Sequence, residues 1–163
     1  MKRRVVLYLV ILFIVVVVIG DWFVLNDQFR NREGFAVYLA GNNEPIISDR
    51  DIVFYNKTSH QIKLNEEGVN RTKKFDYFTT MYHKSFIVKL NGKEMYNGSF
   101  WSDMDSMSYS GVAIMDILAI QRGLTDTIRI EPCYPSVKFC EGVDPRDNSE
   151  IFDYFHRIGK LVQ

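Results

Sequence analysis

The sequence predicts an α+β protein: one N-terminal transmembrane helix, then a domain with a mainly antiparallel sheet packed against two or three helices. Three observations carry that expectation. An apolar run from Val5 to Ile19 follows Met1-Lys2-Arg3-Arg4. Short apolar stretches bounded by turn residues recur through the rest, and one pair of them flanks Asn91-Gly92. Polar capping patterns at Asn65 and at Asp147-Asn148-Ser149-Glu150 precede residues with helical character.

A helix through Val5–Gly20 covers about 24 Å at ~1.5 Å per residue, and Trp22, Phe23, Val24 and Leu25 extend it toward the ~30 Å hydrocarbon core. Residues 5–25 are therefore the expected contact with a lipid bilayer. Asp21 falls at headgroup level, with Trp22 as the interfacial aromatic. Lys2, Arg3 and Arg4 bias the tip toward the cytoplasm and predict an outer location for everything beyond. The alternative is a signal peptide cleaved near Gly20, leaving a secreted chain. The missing A-x-A-like residues and the return of apolar character after Asp21 favour an uncleaved signal-anchor. Residues 1–33 read as anchor and short stalk, and residues 34–163 as one extracytoplasmic domain.

Setting aside Lys2, Arg3 and Arg4 leaves 17 basic against 20 acidic side chains, a net charge of −3. That balance excludes the basic footprint of a nucleic-acid binder. Cys133 and Cys140 are the only cysteines and fit one disulfide in an oxidising compartment. Closing so short a loop contributes about 2.5 kcal/mol in the chain-entropy account. Asn56-Lys57-Thr58, Asn70-Arg71-Thr72 and Asn97-Gly98-Ser99 are N-x-[ST] sequons. Used as glycosylation sites, Asn56, Asn70 and Asn97 would have to be exposed.

Along the outer domain, Phe35–Leu39 reads as a buried strand ended by Gly41-Asn42-Asn43-Glu44-Pro45. Ser48-Asp49-Arg50-Asp51 resembles a capping box and predicts a helical turn through Ile52–Tyr55. His60–Leu64 alternates as a strand, and Asn65 caps a helix through Glu66, Glu67, Val69 and Lys73, weakened by Gly68. Phe75–Lys84 reads as loop. Ser85–Leu90 and Lys93–Tyr96 form a hairpin whose Asn91-Gly92 turn places Lys89 opposite Glu94 and Val88 opposite Met95. Ser99–Ser110 reads as a surface loop, Val112–Leu118 and Thr127–Glu131 as strands, and the segment around Pro132, Pro135 and Pro145 as irregular. A last helix carries Ile151, Phe152, Phe155 and Ile158, and Gly159 ends it.

The chemistry-bearing residues form no recognisable constellation. His60, His83 and His156 have no ligand partner at i+2 or i+4 and read as surface or half-buried residues. Asp103-Met104-Asp105-Ser106 resembles the start of a calcium loop but lacks the glycine and terminal glutamate. The chain has no G-x-S-x-G, P-loop, G-x-G-x-x-G or H-E-x-x-H pattern. No catalytic residue, cofactor or metal is therefore expected. Trp101, Tyr109 and Arg146 are the candidate interaction residues, with aromatic bodies and a charged loop at Asp144-Pro145-Arg146-Asp147.

The stretches HQIKLNEEGVNR and FIVKLNGKEMYNGSF resemble the first extracytoplasmic domain of the Sec translocase accessory subunits, SecD and SecF. The pattern DIxxYNxTSHxIKLxEEG is more similar to small membrane-anchored archaeal proteins. The resemblance implies an α+β architecture and no activity, and this chain has one expected span where the translocase subunits have six. The expected function is a membrane-tethered interaction module that meets a protein partner at the membrane, an accessory to a membrane or secretion complex. The alternative is an extracytoplasmic small-ligand sensor or enzyme with a site near Trp101, Asp105 and Asp144–Asp147.

Overall fold

A computed structural model describes residues 34–163. The expected membrane span, stalk and cleavage position lie outside the described residues. Among the described residues no helix is long and apolar enough to cross a membrane.

Among the described residues nine strands follow one another as β1 (Phe35–Leu39), β2 (Pro45–Ser48), β3 (Ile52–Asn56), β4 (Gln61–Leu64), β5 (Ser85–Leu90), β6 (Lys93–Phe100), β7 (Ala113–Ile114), β8 (Thr127–Glu131) and β9 (Leu161–Val162). They form one sheet in the order β2-β1-β5-β6-β7-β8-β4-β3-β9. Every pairing is antiparallel except β6 with β7 and β3 with β9. The helices are α1 (Glu66–Thr72), α2 (Ile117–Gln121) and α3 (Ser149–Arg157). The α+β class with a mainly antiparallel sheet is thus the observed one.

The sheet curls around α3. Phe155 packs against Phe35 near one end of the strand order and stacks on Tyr55 near the other, each with ring centroids 5.0 Å apart. Period-2 alternation explains how strands supply this core. Val37, Val88, Ile62, Ile128 and Ile130 point inward, while Lys63, Lys89 and Arg129 between them point away.

Local chemistry sets the element ends. Asn65 caps α1 by accepting from the Gly68 amide at 2.8 Å, and Asn148 caps α3 by accepting from the amides of Glu150 and Ile151. Gly68 is required rather than merely tolerated: a Cβ there would lie 2.8 Å from both the Cβ and the carbonyl oxygen of Asp51. Asn91 and Gly92 both have positive φ, as a type I′ hairpin turn needs.

Several expectations are corrected. Lys89 does face Glu94, but a bulge next to Val88 pairs it with Tyr96 and leaves Met95 unpaired. The Ser48–Asp51 box closes only a single 3-10 turn, Asp49–Asp51; β-branched Ile52 and Val53 then enter a strand paired to β4. Pro45–Ser48 is a strand at the edge of the sheet, where proline's missing donor is tolerated. The aromatic segment contains a π-helical turn, Tyr77–Met81, capped by Asp76, which buries Tyr77 and Met81. β6 continues to Phe100, so the following loop starts later than expected. The strand after Val112 stops at Ile114, because Asp116 adopts φ +72 and turns the chain into α2.

Candidate functional site

One face of the sheet is covered by the main core; the other carries a smaller cluster of Trp101, Ala113 and Met115, flanked by Tyr109 and Tyr134. The turn after the π-helical segment places His83, at φ +57, between two rings. Its imidazole stacks 3.9 Å from Tyr82 and 4.0 Å from Trp101, and Trp101 stacks 4.9 Å from Tyr109. Phe78 continues the column at 6.1 Å from Tyr82 and is exposed.

Asp105 holds the column together. Its carboxylate accepts from the Tyr82 hydroxyl, from His83 Nε2 at 3.0 Å and from the Ser102 amide at 2.9 Å, and its side chain is only 3% exposed. Tyr134 donates from its hydroxyl to the Asp105 carbonyl at 3.0 Å, while Tyr109 and Tyr134 exchange backbone hydrogen bonds. The hydrogen bond to Asp105 raises the Tyr82 pKa, and burial raises that of Tyr109. These groups build a rigid aromatic support with both its phenol and imidazole ends pinned.

Beside it, Arg129 grips Asp116 through Nε at 2.6 Å and Nη2 at 2.9 Å, and reaches Asp103 at 2.6 Å. The Asp116 hydrogen bonds hold the Arg129 pKa above its ordinary value. Above this network lies a cavity of about 140 Å³ lined by Trp101, Met104, Leu118, Ala119, Arg122 and Leu124, among others. An adjoining cavity of about 340 Å³ shares Asp116, Ala119 and Leu124 with it. On their linings Leu124 is 75% and Met104 64% exposed. The carboxylates of Asp105 and Asp116 are thus engaged beneath an apolar, solvent-facing surface, while the buried Trp101 Nε1 has no hydrogen-bond partner among the described residues.

Trp101, Asp105 and Tyr109 therefore come together, but Asp144–Asp147 does not join them. Arg146 is buried and all three of its guanidinium nitrogens are engaged: Nε and Nη2 by Asp144, and Nη1 by the Ile130 carbonyl. That group faces Tyr55, His60 and Tyr96 on the main-core side, opposite the Trp101 cluster. Arg146 is a tie for its loop, not an exposed contact, and a single site spanning both segments is not formed. Next to it the Tyr55 hydroxyl and His60 Nδ1 are 2.7 Å apart. Burial raises the Tyr55 pKa and lowers that of His60, with the Arg146 charge also acting to lower His60.

The remaining candidates fall elsewhere. Cys133 and Cys140 form a disulfide. Asn70 and Asn97 are exposed, whereas Asn56 is half-buried and its carboxamide is occupied by the Thr58 and Ser59 amides and by the Gln163 carbonyl. Among the described residues no group of three His, Cys, Asp or Glu side chains could hold a metal ion. Sequence reasoning missed His83, Arg129 and Asp116. The alternation Thr127–Glu131 already placed Arg129 opposite Ile128 and Ile130, but nothing local linked it to Asp116 or Asp103. No protein-family model, curated protein or solved structure matches this chain.

Proposed function

We propose that residues 34–163 act as a protein-binding module held at the outer face of a membrane by the N-terminal segment, an accessory to a membrane or secretion complex. The observation that carries this reading is the exposed apolar side chains of Met104 and Leu124 beside Trp101, with exposed Phe78 at the Tyr82 end of the stacked Tyr82–His83–Trp101–Tyr109 support. Clustered exposed apolar side chains suit a contact surface, and aromatic anchors on a rigid frame lose little conformational entropy on binding. The basic tip and apolar run of the first 25 residues support the tether, and the Cys133–Cys140 disulfide suits an oxidising outer compartment. The likeness of residues 60–71 and 86–100 to the Sec accessory subunits supports the membrane-complex setting.

The test is site-specific photocrosslinking in intact cells, with the reactive group at Met104 and a control at exposed Asp153 on α3. Adducts to one protein from Met104 and none from Asp153 are the expected result. Equal yields from both positions, or capture of lipid and bulk protein alone, would overturn the reading.

A further inference from the structure

Between β8 and α3 the strap Pro135–Asp147 is exposed or half-buried at every residue except Arg146. Arg146 Nη1 donates to the Ile130 carbonyl on β8, while Nε and Nη2 are held by Asp144 of the strap itself. The other side of the same β8 residue is taken by His60: the Ile130 amide donates to the His60 carbonyl at 3.1 Å. The buried tie of the strap and a buried histidine thus share Ile130, and the Arg146 charge acts on the imidazole.

His60 is 7% exposed, and its surroundings are poorly suited to a second cation. From β3 the Tyr55 hydroxyl lies 2.7 Å from Nδ1, and in the neutral tautomer with hydrogen on Nε2 that nitrogen accepts from the phenol. From β6 comes Tyr96, which faces Arg146 and whose buried hydroxyl has no partner among the described residues. From α3 comes the Phe152 ring, 6.2 Å away, with Lys57 of the β3–β4 turn 5.0 Å over it; Asp153 and His156 of α3 are exposed. The short strand β9 has no titratable side chain. Asp144 and Asp147 favour a charged imidazole, but Asp144 is committed to Arg146 and Asp147 is exposed.

We propose that this cluster is an acid-released latch, in which protonation of His60 at Nδ1 displaces the Arg146 guanidinium from Ile130 and frees the strap and the first turn of α3 while β5 and β6 stay paired. The added proton reverses the Tyr55 hydrogen bond and sets two cations side by side in a buried space, an arrangement relieved when the strap lifts and Arg146 reaches water. With the strap lifted, His60 is hydrated and titrates near its ordinary 6.5; in the closed state burial chiefly, and then Arg146, hold it lower. Opening is therefore favoured progressively as pH falls from 6.5 toward the closed-state value, and is unaffected by pH above 6.5. The latch goes beyond the binding-module reading and does not require it.

The test is amide hydrogen exchange of the full-length protein in detergent micelles at about pH 7.5 and about pH 5, corrected for intrinsic rates. At the lower pH Asp144 is still ionised, because its hydrogen bonds from Arg146 hold its pKa below 3.8. Exchange roughly threefold faster or more in acid is expected at Asn148–Phe152, with Val88 and Ser99 unchanged. His60→Asn, which tolerates the positive φ and has no ring to titrate, should abolish the acid response. Arg146→Gln frees Asp144 to pair with the imidazolium, so the same amides should exchange rapidly at both pH values and no faster in acid. Far-ultraviolet spectra establish that each variant is folded, and either folded variant is sufficient. Equal exchange of the unsubstituted protein at both pH values overturns the proposal. So does acceleration shared equally by Ser99, which would be global unfolding, or an acid response retained in a folded variant.

Discussion

The Arg129 guanidinium holds the Asp116 carboxylate by two hydrogen bonds, at 2.6 and 2.9 Å, and Asp116 is the residue whose backbone turns left-handed, at φ +72, between β7 and α2. The ion pair stabilises an uncommon backbone conformation as well as a charge. Asp116→Asn keeps a side chain that tolerates this conformation and removes the charge. It should cost about 1–2 kcal/mol by urea denaturation, a modest figure because Arg129 is partly exposed. Asp116→Ala, which also loses the left-handed tolerance, should cost more.

Phe155 joins strands from both halves of the sheet through Phe35 and Tyr55. Phe155→Ala leaves a cavity where the sheet closes around α3. The expected loss is about 3–5 kcal/mol, read from the denaturation midpoint. A cost near that of a surface substitution would show that the curl is held by something else.

Gly98 lies where a Cβ would stand 2.0 Å from the Val112 carbonyl and 2.6 Å from the Phe86 ring. Gly98→Ala should therefore separate β6 from the Val112 backbone and destabilise by about 1–3 kcal/mol. Amide exchange at Ser99, which donates to the Val112 carbonyl, should accelerate with it.

His60 has a folded pKa below its ordinary 6.5, chiefly through burial. Between that lowered value and 6.5 the unfolded chain binds more protons, so folding stability rises with pH across this window. The contribution is complete above 6.5 and is lost as pH falls toward the folded pKa. Urea midpoints at successive pH values should show the loss, and His60→Asn, which tolerates the positive φ, should flatten it. The carboxylates Asp76, Asp126 and Asp144, held below 3.8 by their hydrogen bonds, lose their contributions only at lower pH. An unchanged slope in His60→Asn would assign the acid sensitivity to other groups.

Replacing Cys133 and Cys140 together by serine opens the disulfide loop. The expected loss is about 2.5 kcal/mol. Retention of the aromatic near-ultraviolet signal would locate that loss in the loop rather than in the Trp101 cluster.

The elements legible in the sequence are those whose cause lies within a few residues. Phe35–Leu39 and Thr127–Glu131 have the strand bounds their patterns predict, Asn65 and the Asn91-Gly92 turn act where expected, and the last helix starts within the Asp147–Glu150 box, with Asn148 rather than its first residue as the cap. A cap, a turn and an alternating face need only neighbouring residues to form. The bulge beside Val88 was hidden because a two-residue turn specifies its own ends and not how far the register persists. Val112–Leu118 misled for a related reason: its apolar run suits a strand or a buried helix, and Asp116 breaks it only with Arg129 to hold it.

By itself, then, the sequence determined the α+β class, the capped helices, the hairpin turn and which residues alternate toward the core, since these follow from local sterics and periodicity. Only the tertiary structure decided that His83 stacks on Trp101, that Arg146 is buried, and that Arg122 borders the same cavity as Met104 and Leu124. The physical reason is sheet order. β6, β7 and β8 become neighbours through hydrogen-bond pairing between residues far apart in the chain, and no spacing within one segment encodes which side chains that pairing brings face to face.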